Sequence, residues 1–465
     1  MTRRKRIGFP LILTLLTAGL FSGWALRIRH QEQLDRLLMA AIKRDKAEHS
    51  PALRVRACLE RGADPNAHDE AYRSDLSRNH LMILFGLKRA PVVFTQPALL
   101  LAVEGGLKRL EYDGVDAKED ARPHIVKALL QYGADVRVKD KYGRTPLIAA
   151  FQPVPKGLIG NGVLWVDPQS PSMECAVALI AAGADVEARD EDGRTPLMLG
   201  HNSWQSDAVD TALLRKGVDV NASSEDGMTA LICRAQRNDA RGCLMLLDHG
   251  ADINRVAKDG STALMYAAQN GNRVLVDTLI RRGADINLNV GKGRTALMAV
   301  LCGEPDSTRK AEWGAYDAIL RTLLQRGAVV DAREEQGLTA LIYASSSENT
   351  TMAQTLLQHG ANVNANAGHG QTALMTAAYD GRIEILRTLL QHGAVVDARD
   401  EQGSTALVYA ARGGHEACVR LLLKNGASAT IKDKAGKTLY ESLKEWDGAK
   451  NPALMRLLQE HGMRK

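Results

Sequence analysis

Apolar residues in this chain recur at helical spacing, and the helical segments end at glycines. In residues 273–281 one helix face carries Leu275, Val276, Leu279 and Ile280. Gly283 then stops the helix, since glycine readily adopts the left-handed conformation that closes a helix. A shorter apolar segment, 263–269, begins after Thr262, whose hydroxyl accepts an amide hydrogen at a helix start. The pattern predicts pairs of short helices, each with one buried face.

This unit is repeated along most of the chain. The closing glycines are Gly62, Gly133, Gly183, Gly217, Gly250, Gly283, Gly327, Gly360, Gly393, Gly426 and Gly462. The helix-starting threonines are Thr145, Thr195, Thr229, Thr262, Thr295, Thr339, Thr372 and Thr405, with Thr438 as a variant. Both markers share a spacing of 33 residues with the same interruptions. One helix pair cannot bury both of its faces, so the units must stack on their neighbours. We therefore expect Leu246, Leu279, Leu323 and Leu356 to be buried.

The amino terminus has a different pattern. Residues 1–6 form a basic tail. Residues 7–26 are uncharged, and as a helix they would be about 30 Å long, which is enough to cross a bilayer. The segment is interpreted as a transmembrane anchor. A signal peptide cleaved near Ala25 is the alternative. Because the stronger positive flank precedes the apolar run, the positive-inside rule places the remaining chain on the extracytoplasmic side.

Charge is concentrated in the amino-terminal segment. The chain has 60 Lys and Arg against 54 Asp and Glu, a formal charge of +6. Residues 1–30 carry six basic residues and no acid, so the remainder balances at 54 against 54. This balance gives no sign of nucleic-acid binding. Aromatic residues are only 4% of the chain, which favours thin aliphatic helical layers.

Several stretches resemble the ankyrin repeat. They read "GRTPLIAA" (143–150), "GQTALMTAA" (370–378) and "GSTALVYAA" (403–411), with "GADIN" at 250–254 and 283–287. The resemblance implies an all-α solenoid of about 10–11 helix-turn-helix units with β-turn or hairpin tips, preceded by one N-terminal apolar helix. The segments it implies are capping helices (27–66), a divergent repeat with insertions (67–140), regular repeats (141–437) and a carboxyl cap (438–465).

Extra residues interrupt the regular repeats at 151–172 and 302–316, with a further insertion at 107–123. They fall between the first and second helix of a unit, where loops tolerate additions. The insertions carry three aromatic residues, Tyr112, Trp165 and Trp313. These side chains either pin their own loops to the array or reach a partner.

A partner-binding groove is implied at the hairpin tips and first-helix ends, where the sequence varies between units. The candidates are Tyr142, Arg144, Asp192, Arg194, Lys258, Asp259, Gln269, Asn270, Arg294, Gln371, Tyr379, Asp380 and Arg412. Arg144, Arg194 and Arg294 share one register. Mixed polar side chains of this kind suit a protein partner.

No catalytic motif or metal-ligand spacing is found, and we expect no cofactor and no small-molecule substrate. Four histidines directly precede a unit glycine, where they would meet helix-end carbonyls: His249, His359, His392 and His461. Cys233 and Cys243 lie on two helices of one unit, so a disulfide between them is one alternative and core packing the other.

The sequence thus predicts a non-enzymatic, membrane-tethered protein-interaction module. A structural envelope scaffold or an immunity-type protective factor, secreted after signal cleavage, is the alternative.

Overall fold

A computed structural model gives the fold of much of the chain. It describes residues 33–35, 37–38, 51–61, 63–66, 98–104, 122–140, 142–151, 173–200, 206–291, 293–303, 312–444 and 452–461. The chain divides into two compact units, Met1–Glu225 and Asp226–Lys465. The predicted anchor at 7–26 lies outside the described residues. In the described part of the chain, no helix has the length and hydrophobicity that a membrane span requires.

The first unit is built from helices in its described part. They are α1 (Pro51–Glu60), α2 (Ala98–Glu104), α3 (Arg122–Gln131), α4 (Pro146–Phe151), α5 (Met173–Ala181), α6 (Pro196–Leu199) and α7 (Ser206–Arg215). Residues 33–35 and 37–38 are also helical. The first helices α2, α4 and α6 pack in one layer, and the second helices α1, α3, α5 and α7 pack in another.

The second unit continues the same alternation. Its helices are α8 (Ala230–Gln236), α9 (Ala240–Asp248), α10 (Ala263–Gln269), α11 (Arg273–Arg281), α12 (Ala296–Gly303), α13 (Trp313–Gln325), α14 (Ala340–Ala344), α15 (Thr350–Gln358), α16 (Ala373–Tyr379), α17 (Ile383–Gln391), α18 (Ala406–Arg412), α19 (Glu416–Lys424), α20 (Leu439–Lys444) and α21 (Pro452–Glu460). Each even-numbered first helix contacts the next even-numbered one. From α11 onward, each odd-numbered second helix likewise contacts the next odd-numbered one. The hairpins between units form turns and isolated bridges rather than strands in the described residues, such as the bridge between Asn366 and Thr372.

The core is the apolar face that the sequence predicts. Leu246 is 2% exposed, and Leu279, Leu323 and Leu356 are fully buried. Small alanines, such as Ala267 of α10, let neighbouring first helices approach closely. Stacking therefore supplies the second buried face that no single helix pair possesses.

The unit glycines close the second helices as predicted. Gly250 has φ of +87°, the left-handed region that favours glycine. Its amide donates to Leu247 O at 3.2 Å, while the Ala251 amide donates to Leu246 O at 3.0 Å. These two bonds form the Schellman closure. The predicted histidine contacts are also confirmed: His249 Nδ1 lies 2.8 Å from Met245 O, and His359, His392 and His461 repeat this contact.

An asparagine ladder joins successive units after the glycine. Asn254 Oδ1 accepts the Asp285 amide at 2.8 Å, one repeat further on. Asn287 and Asn364 accept the amides of Val329 and Val395 in the same way. The asparagine of the "GADIN" motif is therefore a tie between repeats. The motif recurs because each backbone amide it meets needs an acceptor.

Candidate partner-binding surface

One exposed surface lies in the second compact unit and is called the first-helix face. It comprises the hairpins that precede the first helices and the carboxyl-terminal ends of those helices, which are α8, α10, α12, α14, α16 and α18. Three phenols project here from one repeat position, four residues after the helix-starting threonine: Tyr266, Tyr343 and Tyr409. All three are half-buried.

Each phenol is anchored by a polar neighbour. Tyr343 donates its hydroxyl hydrogen to Glu334 Oε2 at 2.8 Å, and Tyr409 donates to Asp400 Oδ2 at 2.8 Å. Tyr266 receives a bond of 3.4 Å from Gln236 Nε2 of the preceding unit. Burial, together with the bonded carboxylate, raises the pKa of Tyr343 and of Tyr409 to about 12. The hydrogen bonds to Glu334 and Asp400 hold the rings of Tyr343 and Tyr409 in position.

One aromatic ring on this face is open to solvent. Tyr379, at the end of α16, is 52% exposed. Its ring meets that of Tyr409 edge to face, with centroids 6.2 Å apart and an interplanar angle of 87°. Asp380 follows it directly and is half-buried, as is Arg412 at the end of the next first helix. An exposed ring held by a half-buried, hydrogen-bonded neighbour is a preorganised contact point.

Arg294, Cys302 and Tyr343 form a polar cluster on the same face. Its side chain is exposed, and its charge acts on Tyr343 and on the thiol of Cys302. Burial raises the pKa of Cys302, and Arg294 opposes this rise. The thiol is therefore neutral at ordinary pH, and the cluster offers one exposed cation beside a fixed phenol.

At four first helices, α8, α10, α14 and α16, a carbonyl at or just after the helix end accepts a hydrogen bond from a side chain of the next repeat. Gln236 O accepts from Asn270 Nδ2 at 3.1 Å, and Gln269 O accepts from the Tyr316 hydroxyl at 3.3 Å. Ser346 O and Tyr379 O are met by Arg382 Nε and His415 Nε2, at 3.0 and 2.8 Å. The donors differ, but each satisfies a helix-end carbonyl.

In the first unit, two arginines of one register have different roles. Arg144 is 7% exposed, and its Nε donates to the buried Asp140 Oδ2 at 2.7 Å. Arg194 is one-third exposed and joins Asp190 and Asp192 at 2.9 and 2.6 Å. Asp192 itself is mostly exposed. Of this pair of arginines, Arg194 has the more exposed side chain, at 33% against 9% for Arg144.

The sequence matches one family model. The family described as "Ankyrin repeats (3 copies)" matches residues 169–257, 199–290, 235–310, 264–367 and 363–433, more than half of the chain. This chain belongs to the ankyrin repeat family. Ankyrin repeats are protein–protein interaction modules and are generally non-enzymatic. No curated protein matches the chain as a relative.

Within the ankyrin repeats, two predicted groove residues have structural roles. The Arg144 side chain is buried, since its guanidinium bonds the Asp140 carboxylate and lies over the ring of Tyr142, which is 44% exposed. The amide of Asn270 is committed to Ala235 O and Gln236 O at 3.0 and 3.1 Å. The Asn270 side chain therefore joins two repeats, whereas the Arg144 side chain is bound within its own hairpin.

The remaining candidates lie on the hairpins and carboxyl-terminal helix ends. Lys258 and Asp259 are exposed at a hairpin tip, where Asp259 accepts the Ser261 amide at 2.9 Å. Gln269 is half-buried, and Gln371 bonds Thr376 Oγ1 at 3.3 Å. The sequence interpretation missed the three phenols of this face, Tyr266, Tyr343 and Tyr409. The signal was available, since the three tyrosines share one register.

The three insertion aromatics have different outcomes. Tyr112 and Trp165 lie outside the described residues. Trp313 is not a loop residue, because it begins helix α13, and the predicted insertion 302–316 is helical at both described ends. The early start places Tyr316 over Gly271, where its hydroxyl reaches Gln269 O. That inter-repeat bond and the burial of the ring account for the longer helix.

The thiols and acidic residues do not assemble a further site in the described part. Among the described residues, no cluster of His, Cys, Asp and Glu could hold a metal ion. All six cysteines are free thiols, so Cys233 and Cys243 are not bridged in this structure. Burial raises the pKa of Cys243 to about 12, as expected for a small apolar filler in an ankyrin core.

Proposed function

We propose that this ankyrin protein is a non-enzymatic binding protein that holds another protein on the first-helix face of its second unit. The observation that supports this most directly is the exposed Tyr379 ring packed against the anchored Tyr409. Interface energy is concentrated in rigid aromatic and arginine side chains. Tyr379 supplies the aromatic ring and Arg294 the arginine, both on the first-helix face of the second compact unit.

The fixation of the ring favours binding. Tyr409 is held by Asp400, and Tyr379 by Tyr409, so the exposed ring loses little conformational freedom when a partner covers it. Half-buried Asp380 and Arg412 place opposite charges near it. Charges at the rim of an aromatic contact chiefly select the partner.

A photo-cross-linking amino acid at position 371, in the native cell, tests this proposal. We expect one discrete protein partner to be captured. The Tyr379→Ala substitution should weaken its binding by at least about 2 kcal/mol, or roughly thirtyfold, as for an interface hot spot. Arg294→Ala should weaken binding less, because the cation is solvated.

The matched control is Tyr132→Ala, which removes a ring that is 39% exposed in the first unit. Partner capture should survive this change. Equal losses with Tyr132→Ala and Tyr379→Ala would refute a specific role for the first-helix face. No discrete partner at all would favour a scaffold whose array only spaces other components.

We also propose that residues 7–26 anchor the chain and that the repeats lie on the extracytoplasmic side. Support comes from the uncharged run of 20 residues, its basic flank and the absence of acids in residues 1–30. Mass spectrometry of the mature amino terminus tests the anchor, which requires the peptide spanning Ala25 to be intact. A terminus directly after Ala25 would establish the secreted alternative.

External protease on intact cells tests the orientation. The repeats should be digested once the protease has access to the outer side of the membrane that holds the anchor. Full protection under that condition would place the repeats in the cytoplasm and contradict the proposed orientation.

A further inference from the structure

The outward surface of α5 differs from that of the other second helices. Counted back from the unit glycine, three outward positions lie six, two and one residues before it. In the unit that ends at Gly183 these positions hold Val177, Ala181 and Ala182. In the described chain, every other second helix has at least two polar or charged residues at the same three positions. Packing within the array does not require alanine at positions 181 and 182, because both side chains are exposed.

The small side chains create a groove. Its volume is about 950 Å³, and it runs over α5 between α3 and α7. Val177, Ala178 and Ala181 form its floor, while Leu130 and Lys127 of α3 stand on one side. The groove lies wholly within the first unit. It belongs to the second helices and therefore shares no residue with the first-helix face.

The shape suits an α-helix. Helix α5 has nine residues, a length of about 13 Å, so a helix of two to three turns would cover it. Packed helices lie roughly 8–10 Å apart, and short side chains on the floor permit the closer distance. An amphipathic helix laid into such a groove buries its apolar face against the floor.

The charges select the sequence of that helix. Glu174 is exposed in the first turn of α5, and Asp207 lines the same end of the groove from the first turn of α7. Lys127 lies about one turn further along on α3. A bound helix therefore needs a Lys or Arg at the end beside Glu174, and gains from an acid near Lys127.

We propose that the α5 groove binds an amphipathic α-helix of a partner protein, with aliphatic side chains on the floor and a basic residue beside Glu174. This surface is independent of the first-helix face and adds a second docking site to the array. The two sites would allow the protein to hold two different polypeptides at once.

The test uses the purified full chain and a labelled helical peptide of leucine, alanine and lysine, with its basic residues at one end. A second peptide carries glutamate in place of lysine. We expect saturable binding of the basic peptide. Ala181→Glu should weaken it by at least about tenfold, because the substitution puts a carboxylate on the apolar floor. Glu174→Lys should reverse the preference between the two peptides.

The matched control is Ala417→Glu, which adds the same charge at an exposed alanine of the second helix α19. It should leave peptide binding unchanged. Unfolding midpoints of the two alanine variants should equal that of the parent chain, because both sites are exposed. Capture of the partner through Tyr379 should survive Ala181→Glu, which separates this proposal from the proposed function.

Three outcomes would overturn the proposal. One is peptide binding that Ala181→Glu leaves intact. Another is self-association of the chain that Ala181→Glu abolishes, since the occupant would then be a second copy. The third is exclusion of the peptide that ends when residues 152–172 are replaced by a short glycine–serine linker, since the occupant would then be the chain's own insertion.

Discussion

At the scale of single residues, the repeated threonine has two different environments. The hydroxyl of Thr262 accepts the Met265 amide at 3.2 Å and caps α10. The hydroxyls of Thr339 and Thr405 are buried without a hydrogen-bond partner. The register predicts a cap at each unit, but the bond forms at Thr262 and not at Thr339 or Thr405.

This difference predicts opposite effects of one substitution. Thr262→Val should lower the free energy of unfolding by about 1 kcal/mol, because it removes a helix cap. Thr339→Val should leave it unchanged or raise it, because an unsatisfied buried hydroxyl costs about 1–3 kcal/mol. Urea unfolding of the two variants checks this. Equal destabilisation would show that both hydroxyls act as caps.

The anchored phenols predict a loss of stability at high pH. The pKa of Tyr343 is raised from 10.0 to about 12 in the folded chain. The folded state therefore holds this proton more tightly than the unfolded state. The resulting stabilisation is complete below pH 10.0 and is lost as the pH rises through about 12.

Tyr343→Phe should remove that contribution. In this variant the free energy of unfolding should fall less steeply between pH 10 and about 12 than in the parent chain, because phenylalanine does not titrate. Alkaline urea titrations, with phenolate absorbance followed in parallel, measure the difference. Identical slopes in the two proteins would contradict the anchored position of Tyr343.

At the scale of elements, the ladder between hairpins couples each helix pair to the next. Asn364 accepts the Val395 amide at 2.8 Å and donates to Gly393 O at 3.2 Å. Both bonds connect Asn364 to residues of the next repeat. In a stacked array, such nearest-neighbour ties carry much of the cooperativity.

Asn364→Ala should therefore weaken one interface and leave distant repeats unaffected. We expect a loss of about 1 kcal/mol and faster hydrogen exchange at the Val395 amide, which loses its acceptor. Asn366→Ala is the control, since Asn366 accepts Arg333 Nη1 through its main-chain oxygen. Faster exchange at Val395 in the control as well would rule out a specific role for Asn364.

Elements also show where local pattern is insufficient. The sequence predicts a loop over 302–316, yet α13 begins at Trp313 and places Tyr316 on Gly271. The contact partner lies more than forty residues earlier, in the preceding unit. No local spacing reveals it, because the decisive bond forms only after the repeats have stacked.

At the scale of the whole molecule, the two compact units offer different surfaces. The second unit carries the phenols, the exposed Tyr379 and Arg294 on its first-helix face. The first unit carries the groove over α5 on its second helices. A repeated framework permits this because the outward positions of each unit vary without disturbing the packed ones.

The amino-acid sequence by itself determined the helix pairs, their period, the closing glycines and the buried leucines. These features depend on contacts that recur in every unit, so periodicity alone exposes them. Only the tertiary structure decided that Arg144 is buried on Asp140, that Asn270 joins two repeats and that Tyr379 rests on an anchored ring. Each of these outcomes depends on which side chains of neighbouring units come within bonding distance. Two residues of one register therefore have the same backbone position and different roles.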